Sequence, residues 1–223
     1  MQKNSPVLIA LLAAVLTALY TVNDTHIMQN IVVSSDPFTA VMAYLTIGSW
    51  VGLAINWILC QTPLSKVIDP SFKGVGKISF KAQVSAFGAG LIGALSTLFM
   101  LWGSQLFDPS LVLPLSGMCV FYVAIYDMVV GKVKASQILV PMALVVLGIF
   151  LFTFEPKAGV TLSVTGLVVL LVAKSGTEAV GQILRQTGTI ASDAASFGFW
   201  RFLWLTLIGT LLAIVASLLR GMF

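Results

Sequence analysis

The sequence predicts an all-α polytopic membrane protein of about seven transmembrane helices. Three observations carry that reading. Mean hydropathy is +1.03, with 58% hydrophobic and 9% charged residues, where soluble domains carry roughly 25% charge. The apolar residues gather into runs near the ~20 residues that a helix needs to cross the hydrocarbon core. Acid–proline pairs punctuate the runs: Asp36-Pro37, Asp69-Pro70, Asp108-Pro109 and Glu155-Pro156. A water-soluble globule could not hide so much apolar surface, and a disordered chain would not carry it. The runs are too long and too continuous for barrel strands, so they read as helices. The net charge of +4 is scattered in short stretches between the runs, which argues against a nucleic-acid partner.

The runs follow in order. The first, 7–33, comes after Lys3 and superficially resembles a signal peptide. It continues past the usual length without a small-x-small cleavage site, so it reads as a retained span. The second, 38–60, leads into a 61–82 loop that carries Lys66, Lys73, Lys77 and Lys81 beside Asp69. The third is 83–106, and the fourth, 110–130, is interrupted by Pro114. Lys132 and Lys134 occupy the next loop, and the fifth run, 136–154, has Pro141 early in it. The sixth and seventh are 161–186 and 195–219. The two lysine-bearing loops, Lys3 and Arg185 fall on one side; Lys157 and Arg220 fall on the other. Positive residues mark the cytoplasmic side. The expectation is a multi-pass protein of the cell's inner (plasma) membrane with a cytoplasmic amino terminus. An odd number of spans puts the carboxyl terminus outside, which Arg220 fits badly.

Ionisable residues within spans are costly and usually face a cavity or a partner. Asp24 and His26 lie in the polar patch Asn23-Asp24-Thr25-His26 of the first run, and Asp127 lies in the fourth. Lys174 and Glu178 lie in the sixth. At i and i+4 these last two share a helical face and can pair. That pair either locks the sixth helix to its neighbours or belongs to a transport path. Asp24, an isolated acid within a span, reads as functional. His26 alone is the weaker candidate, since a lone histidine in a span more often donates a helix-packing hydrogen bond. Asp127 is one turn from the lysine loop and is expected to snorkel or to pair with Lys132 or Lys134. Pro114 and Pro141 can each free a carbonyl that a cavity uses.

In the third run, Ser85, Ala89, Gly93 and Thr97 recur every four residues, with Ala86, Gly90 and Ala94 beside them. This predicts a close-packing face for a neighbouring helix. Trp102 and Tyr122, with Phe99 and Tyr126, either shape a pocket or face lipid. Cys60 and Cys119 form no metal-ligand or disulfide spacing and read as small hydrophobes.

The first two runs resemble the sixth and seventh. Each pair is a long helix with an internal acid, a short polar stretch, an Asp and a second helix. Asp36 opens one phrase, which reaches Tyr44 eight residues on; Asp193 opens the other, which reaches Arg201 eight residues on. Three extra residues in the second connection bring Asp24 over Glu178. The segment Asp108-Pro109-Ser110-Leu111-Val112-Leu113-Pro114-Leu115, with Gly131-Lys132 and Leu147-Gly148-Ile149, completes the pattern. In these features the chain resembles the drug/metabolite transporter superfamily, in particular its EamA-like members. Two features depart from that pattern: Lys132 stands where the family commonly has an acid, and Tyr44 where it has arginine. The resemblance implies a five-helix repeat over 1–157, then a partial second repeat, 158–223, inverted in the membrane. A chain that stops after the seventh run is either a fragment or a protein that works with a partner.

The resemblance implies a secondary transporter of small metabolites or amphipathic compounds. Its site is expected near the bilayer midplane, between the first, third, fourth and sixth runs. Asp24 and Glu178 are the candidate proton or cation acceptors, with Lys174 setting the charge of Glu178. His26 completes the path, and Trp102 and Tyr122 shape the pocket. No Walker A sequence is present, no cofactor or metal is expected, and no nucleophile–base–acid constellation points to an enzyme. The competing expectation is a non-catalytic subunit that scaffolds a larger membrane complex. The expected partners are the lipid bilayer, a small-molecule substrate, and other membrane subunits or a second copy covering the sixth and seventh helices.

Overall fold

The computed structural model describes residues 15–16, 19–20, 22–24, 26–31, 37–63, 65–66, 69–107, 109–153 and 164–221. The beginning of the first run, Lys3, Asp36, Asp108, Glu155-Pro156 and Lys157 lie outside the described residues. Among the described residues the secondary structure is helical, with no strand. Residues 22–24 and 26–30 are helical and carry Asp24 and His26. There follow α1 (Pro37–Gln61), α2 (Phe80–Leu106), α3 (Pro109–Ser116), α4 (Cys119–Val129), α5 (Ala135–Thr153) and α6 (Val164–Leu167). A π-helical stretch, Val168–Lys174, then leads into α7 (Ser175–Ile190), and α8 (Ala194–Gly221) ends the described chain.

Among the described residues, four helical stretches are long and apolar enough to cross a membrane: Phe38–Gln61, Phe80–Leu106, Thr165–Ile190 and Ala194–Arg220. They coincide with the second, third, sixth and seventh runs. The protein is therefore a membrane-embedded helical protein. The fourth run is two helices, α3 and α4, separated by a turn at Gly117 and Met118. Pro114 inside α3 cannot donate a backbone hydrogen bond, and the helix stops within one turn of it.

Cross-helix contacts fix the relative directions. Arg220 Nη1 donates to Thr39 Oγ1 at 2.7 Å. Trp50 Nε1 donates to Thr210 Oγ1 at 3.1 Å, and Thr206 Oγ1 donates to the Ser49 carbonyl at 3.0 Å. Trp57 packs against Phe199 with ring centroids 5.5 Å apart and planes tilted by 50°. As numbers rise along α1 they fall along α8, so the two helices are antiparallel. The same reasoning makes α2 and α7 antiparallel: Leu184 lies against Gly88, Glu178 against Ser96 and Leu170 against Gly103.

The centre of the fold is α2, which packs on α1, the π stretch, α7 and α8. Of the small residues predicted to form a packing face, all but Thr97, which is half-buried and lines a cavity, do so. Ser85, Ala86, Ala89, Gly90, Gly93 and Ala94 are all buried. At Gly90 the neighbouring helix comes closest: a Cβ there would lie 2.8 Å from Trp204 Cβ and 2.9 Å from the Leu205 nitrogen. Any side chain would push α8 away. Ser79 caps α2 by accepting from the Ala82 amide at 3.2 Å, and Asp193 caps α8 by accepting from the Ser196 amide at 2.7 Å. Such caps contribute about 1 kcal/mol each.

The 61–82 loop is tied to the start of α8. Asp69 Oδ2 accepts from the Ala194 amide at 2.7 Å, and Trp200 Nε1 donates to the Gly76 carbonyl at 3.0 Å. The α1–α2 and α7–α8 connections therefore lie at the same end of the bundle.

Candidate functional site

A cavity of about 350 Å³ opens where the amino-terminal helix, α1, α2, the end of α3, α7 and α8 converge. Its walls hold five charge-bearing side chains: Asp24, Lys174, Glu178, Arg185 and Arg201. Each would be expensive in lipid, and the fold gathers them into one space.

Asp24 is 2% exposed. Its Oδ1 accepts a hydrogen bond from Tyr44 Oη at 2.5 Å. Tyr20, one turn earlier, also lines the cavity. The second oxygen, Asp24 Oδ2, is buried and accepts no hydrogen bond among the described residues. Buried carboxylate oxygens are nearly always satisfied; here the Tyr20 hydroxyl acts on the same carboxylate, and Oδ2 itself stays buried beside the cavity.

Glu178 is held from two sides. Ser96 Oγ of α2 donates to its Oε2 at 3.0 Å, and Arg185, two turns along α7, forms an ion pair with its Oε1. The expected Lys174–Glu178 pair is thus replaced by Arg185–Glu178. The reason is local. At the break after α3, Lys174 Nζ donates to the Ser116 carbonyl at 3.2 Å. Ser175 Oγ lies 3.0 Å from the Leu115 carbonyl and 2.9 Å from that of Leu170. The hydroxyl has one proton and serves one of them at a time. The π stretch ends at Lys174, and such wide turns are frequent at functional sites. The Arg185 side chain, read from the sequence as a loop-side charge, turns into the cavity.

Arg201 stands in the first third of α8. Its guanidinium rests over the Phe202 ring, 4.5 Å from the centroid. It makes no hydrogen bond or contact ion pair among the described residues, while Arg185 and Glu178 act on it across the cavity.

Asp24, Lys174 and Glu178 line this cavity, and the other three candidates do not. His26 Nδ1 lies 3.2 Å from Asn30 Nδ2 on an exposed part of its helix, two residues and so about 200° around from Asp24. Trp102 is exposed on the outer side of α2. Tyr122 is exposed on α4, where its hydroxyl donates to the Leu171 carbonyl at 3.1 Å. Both aromatics act at helix surfaces, which suits rings with one polar atom. Asp127 pairs with Lys132 at 3.1 Å, as its position one turn from the lysine loop predicts.

Sequence reasoning missed Tyr44, Arg185 and Arg201 as cavity residues. A signal for two of them was present. Tyr44 and Arg201 each stand eight residues after the aspartate of the two similar phrases, and both face the space that holds Asp24 and Glu178. Cys60 and Cys119 are free thiols. Among the described residues no cluster of His, Cys, Asp or Glu is placed to hold a metal ion. The chain matches no protein-family model, no curated protein and no solved structure.

Proposed function

We propose that the protein is a secondary membrane transporter that moves a small polar or amphipathic metabolite through this cavity. One observation carries the reading: a buried carboxylate, Asp24, lines a polar space between apolar helices with one oxygen held by Tyr44 and the other without a hydrogen-bond donor among the described residues. A purely structural acid would have both oxygens satisfied. A carboxylate that must gain and lose a proton or cation needs one oxygen free. The cavity volume falls in the range of small-ligand sites, and it lies between helices from both ends of the chain, as carrier sites do.

The finer picture is part of the same proposal. The similar phrases at Asp36 and Asp193, together with the antiparallel α1 and α8, support two inverted units of an EamA-like fold with about seven spans in this chain. The lysines of the 61–82 loop support a cytoplasmic face there, hence a cytoplasmic amino terminus in a plasma membrane. Asp24 is the ion-accepting residue. Glu178, neutralised by Arg185, holds α2 and α7 together beside it.

The test is uptake into vesicles that contain the purified protein, under an imposed proton gradient, with small metabolites of each charge type and a pH-sensitive dye. The proposal expects saturable uptake with proton movement, both lost in Asp24→Asn. The competing reading, a scaffolding subunit, expects no uptake and fixed membrane partners on gentle purification.

A further inference from the structure

We infer that the cavity selects a small organic oxyanion, a carboxylate or a phosphate ester, and that Arg201 is the residue that grips it. This rests on the carrier reading and adds the substrate's chemistry. Three cationic side chains face the cavity against two carboxylates. Arg185 is spent on Glu178. Lys174 donates to a neutral carbonyl, that of Ser116, and Arg201 has only the Phe202 face beneath it. Even with Asp24 ionised, the space holds positive charge that no carboxylate among the described residues neutralises. An uncompensated charge within a membrane is expensive, and a bound anion removes the expense.

The geometry is specific to that ligand. An aromatic face under a guanidinium fixes its plane and leaves its N–H edge open. That edge matches the paired oxygens of a carboxylate or phosphate. Close approach of α8 to α2 at Gly90 sets the position: the Arg201 carbonyl would lie 3.0 Å from a Cβ at that glycine, so the guanidinium is presented from a helix that cannot drift. Asp24, whose second oxygen accepts no hydrogen bond among the described residues, supplies an ion site in the same cavity.

Four probes built on the same phenyl ring separate charge from the apolar body: benzoate, phenyl phosphate, benzylamine and benzyl alcohol. Thermal stabilisation of the purified 223-residue chain reads binding, and vesicle uptake reads transport. The proposal expects benzoate or phenyl phosphate to stabilise the protein, whichever binds better naming the oxyanion. Arg201→Gln should weaken that binding at least tenfold and Arg201→Lys should restore part of it. Should Arg201→Gln fail to fold, the wild-type protein suffices. Either anion should protect Arg201 from phenylglyoxal, read by peptide mass. Stabilisation by benzylamine or benzyl alcohol equal to that of the anions would overturn the inference, as would Arg201 labelling that neither anion slows. Anion binding without uptake of any probe would overturn the carrier reading and leave the anion site standing. Uptake of benzylamine without anion binding would do the reverse.

Discussion

Asp24 and Glu178 are both acids among apolar helices, and they are solvated differently. Glu178 has a guanidinium and a hydroxyl; Asp24 has only phenols, Tyr44 and Tyr20, and a buried oxygen that accepts no hydrogen bond among the described residues. The ion pair of Glu178 is therefore structural, and a double-mutant cycle should show it. Glu178→Gln and Arg185→Met should be coupled by about 0.5–3 kcal/mol in thermal stability, with the double variant less damaged than the sum of the singles. Lys174→Met with Glu178→Gln should show the smaller coupling, because Lys174 bonds elsewhere. Asp69 gives a pH-dependent prediction. The Ser71 hydroxyl, the Ala194 amide and the Ser71 amide donate to its carboxylate and hold its pKa below the usual range. A depressed folded pKa means that its contribution is fully present above the unfolded value of about 3.9 and is lost as pH falls through the folded value. Hydrogen exchange at the Ala194 amide should therefore be protected at neutral pH, lose protection in acid, and be unprotected in Asp69→Asn at both. Asp24, Lys174 and Glu178 were legible in the sequence because a charge inside an apolar run has no cheap explanation. Arg201 was not, because near a helix start it reads as a topology signal, and Tyr44 was not, because a tyrosine in a span reads as lipid-facing.

Among the elements, α2 sets the positions of the others through its lack of side-chain bulk. Gly90→Ala should destabilise the protein by about 1–3 kcal/mol, the usual result of overpacking, and should shift Arg201 away from the cavity. Gly48→Ala, where a Cβ meets nothing within 4 Å, should be neutral or slightly stabilising, since alanine is the better helix former. Thermal unfolding of the two variants checks the contrast; equal losses would show that the close approach at Gly90 is not what holds α8. The spacing of small residues made this packing face legible. The break of the fourth run was half legible: Pro114 announced an interruption, but the turn falls at Gly117 and Met118. The π stretch of Val168–Lys174 left no mark on the hydropathy pattern, because one widened turn in a uniformly apolar run changes no periodicity.

For the whole molecule, hydropathy and length were enough to read a helical membrane protein, since lipid leaves the backbone no other economical way across. Which helices meet was not readable, because apolar runs carry no address; the meeting of α1 with α8 rests on contacts such as Trp50 with Thr210 and Ser49 with Thr206. The central claim is that the space between these helices is a transport cavity that opens to each side of the membrane in turn. Gly48 lines it, and a Cβ there meets nothing within 4 Å. The measurement is labelling of Gly48→Cys by a membrane-impermeant thiol reagent, in sealed native membranes of both orientations, with Cys60→Ser and Cys119→Ala removing the native thiols. A carrier requires labelling from both sides, each slowed when substrate is present. Labelling from one side alone, or from neither, would contradict the account and leave a scaffold with a sealed polar core.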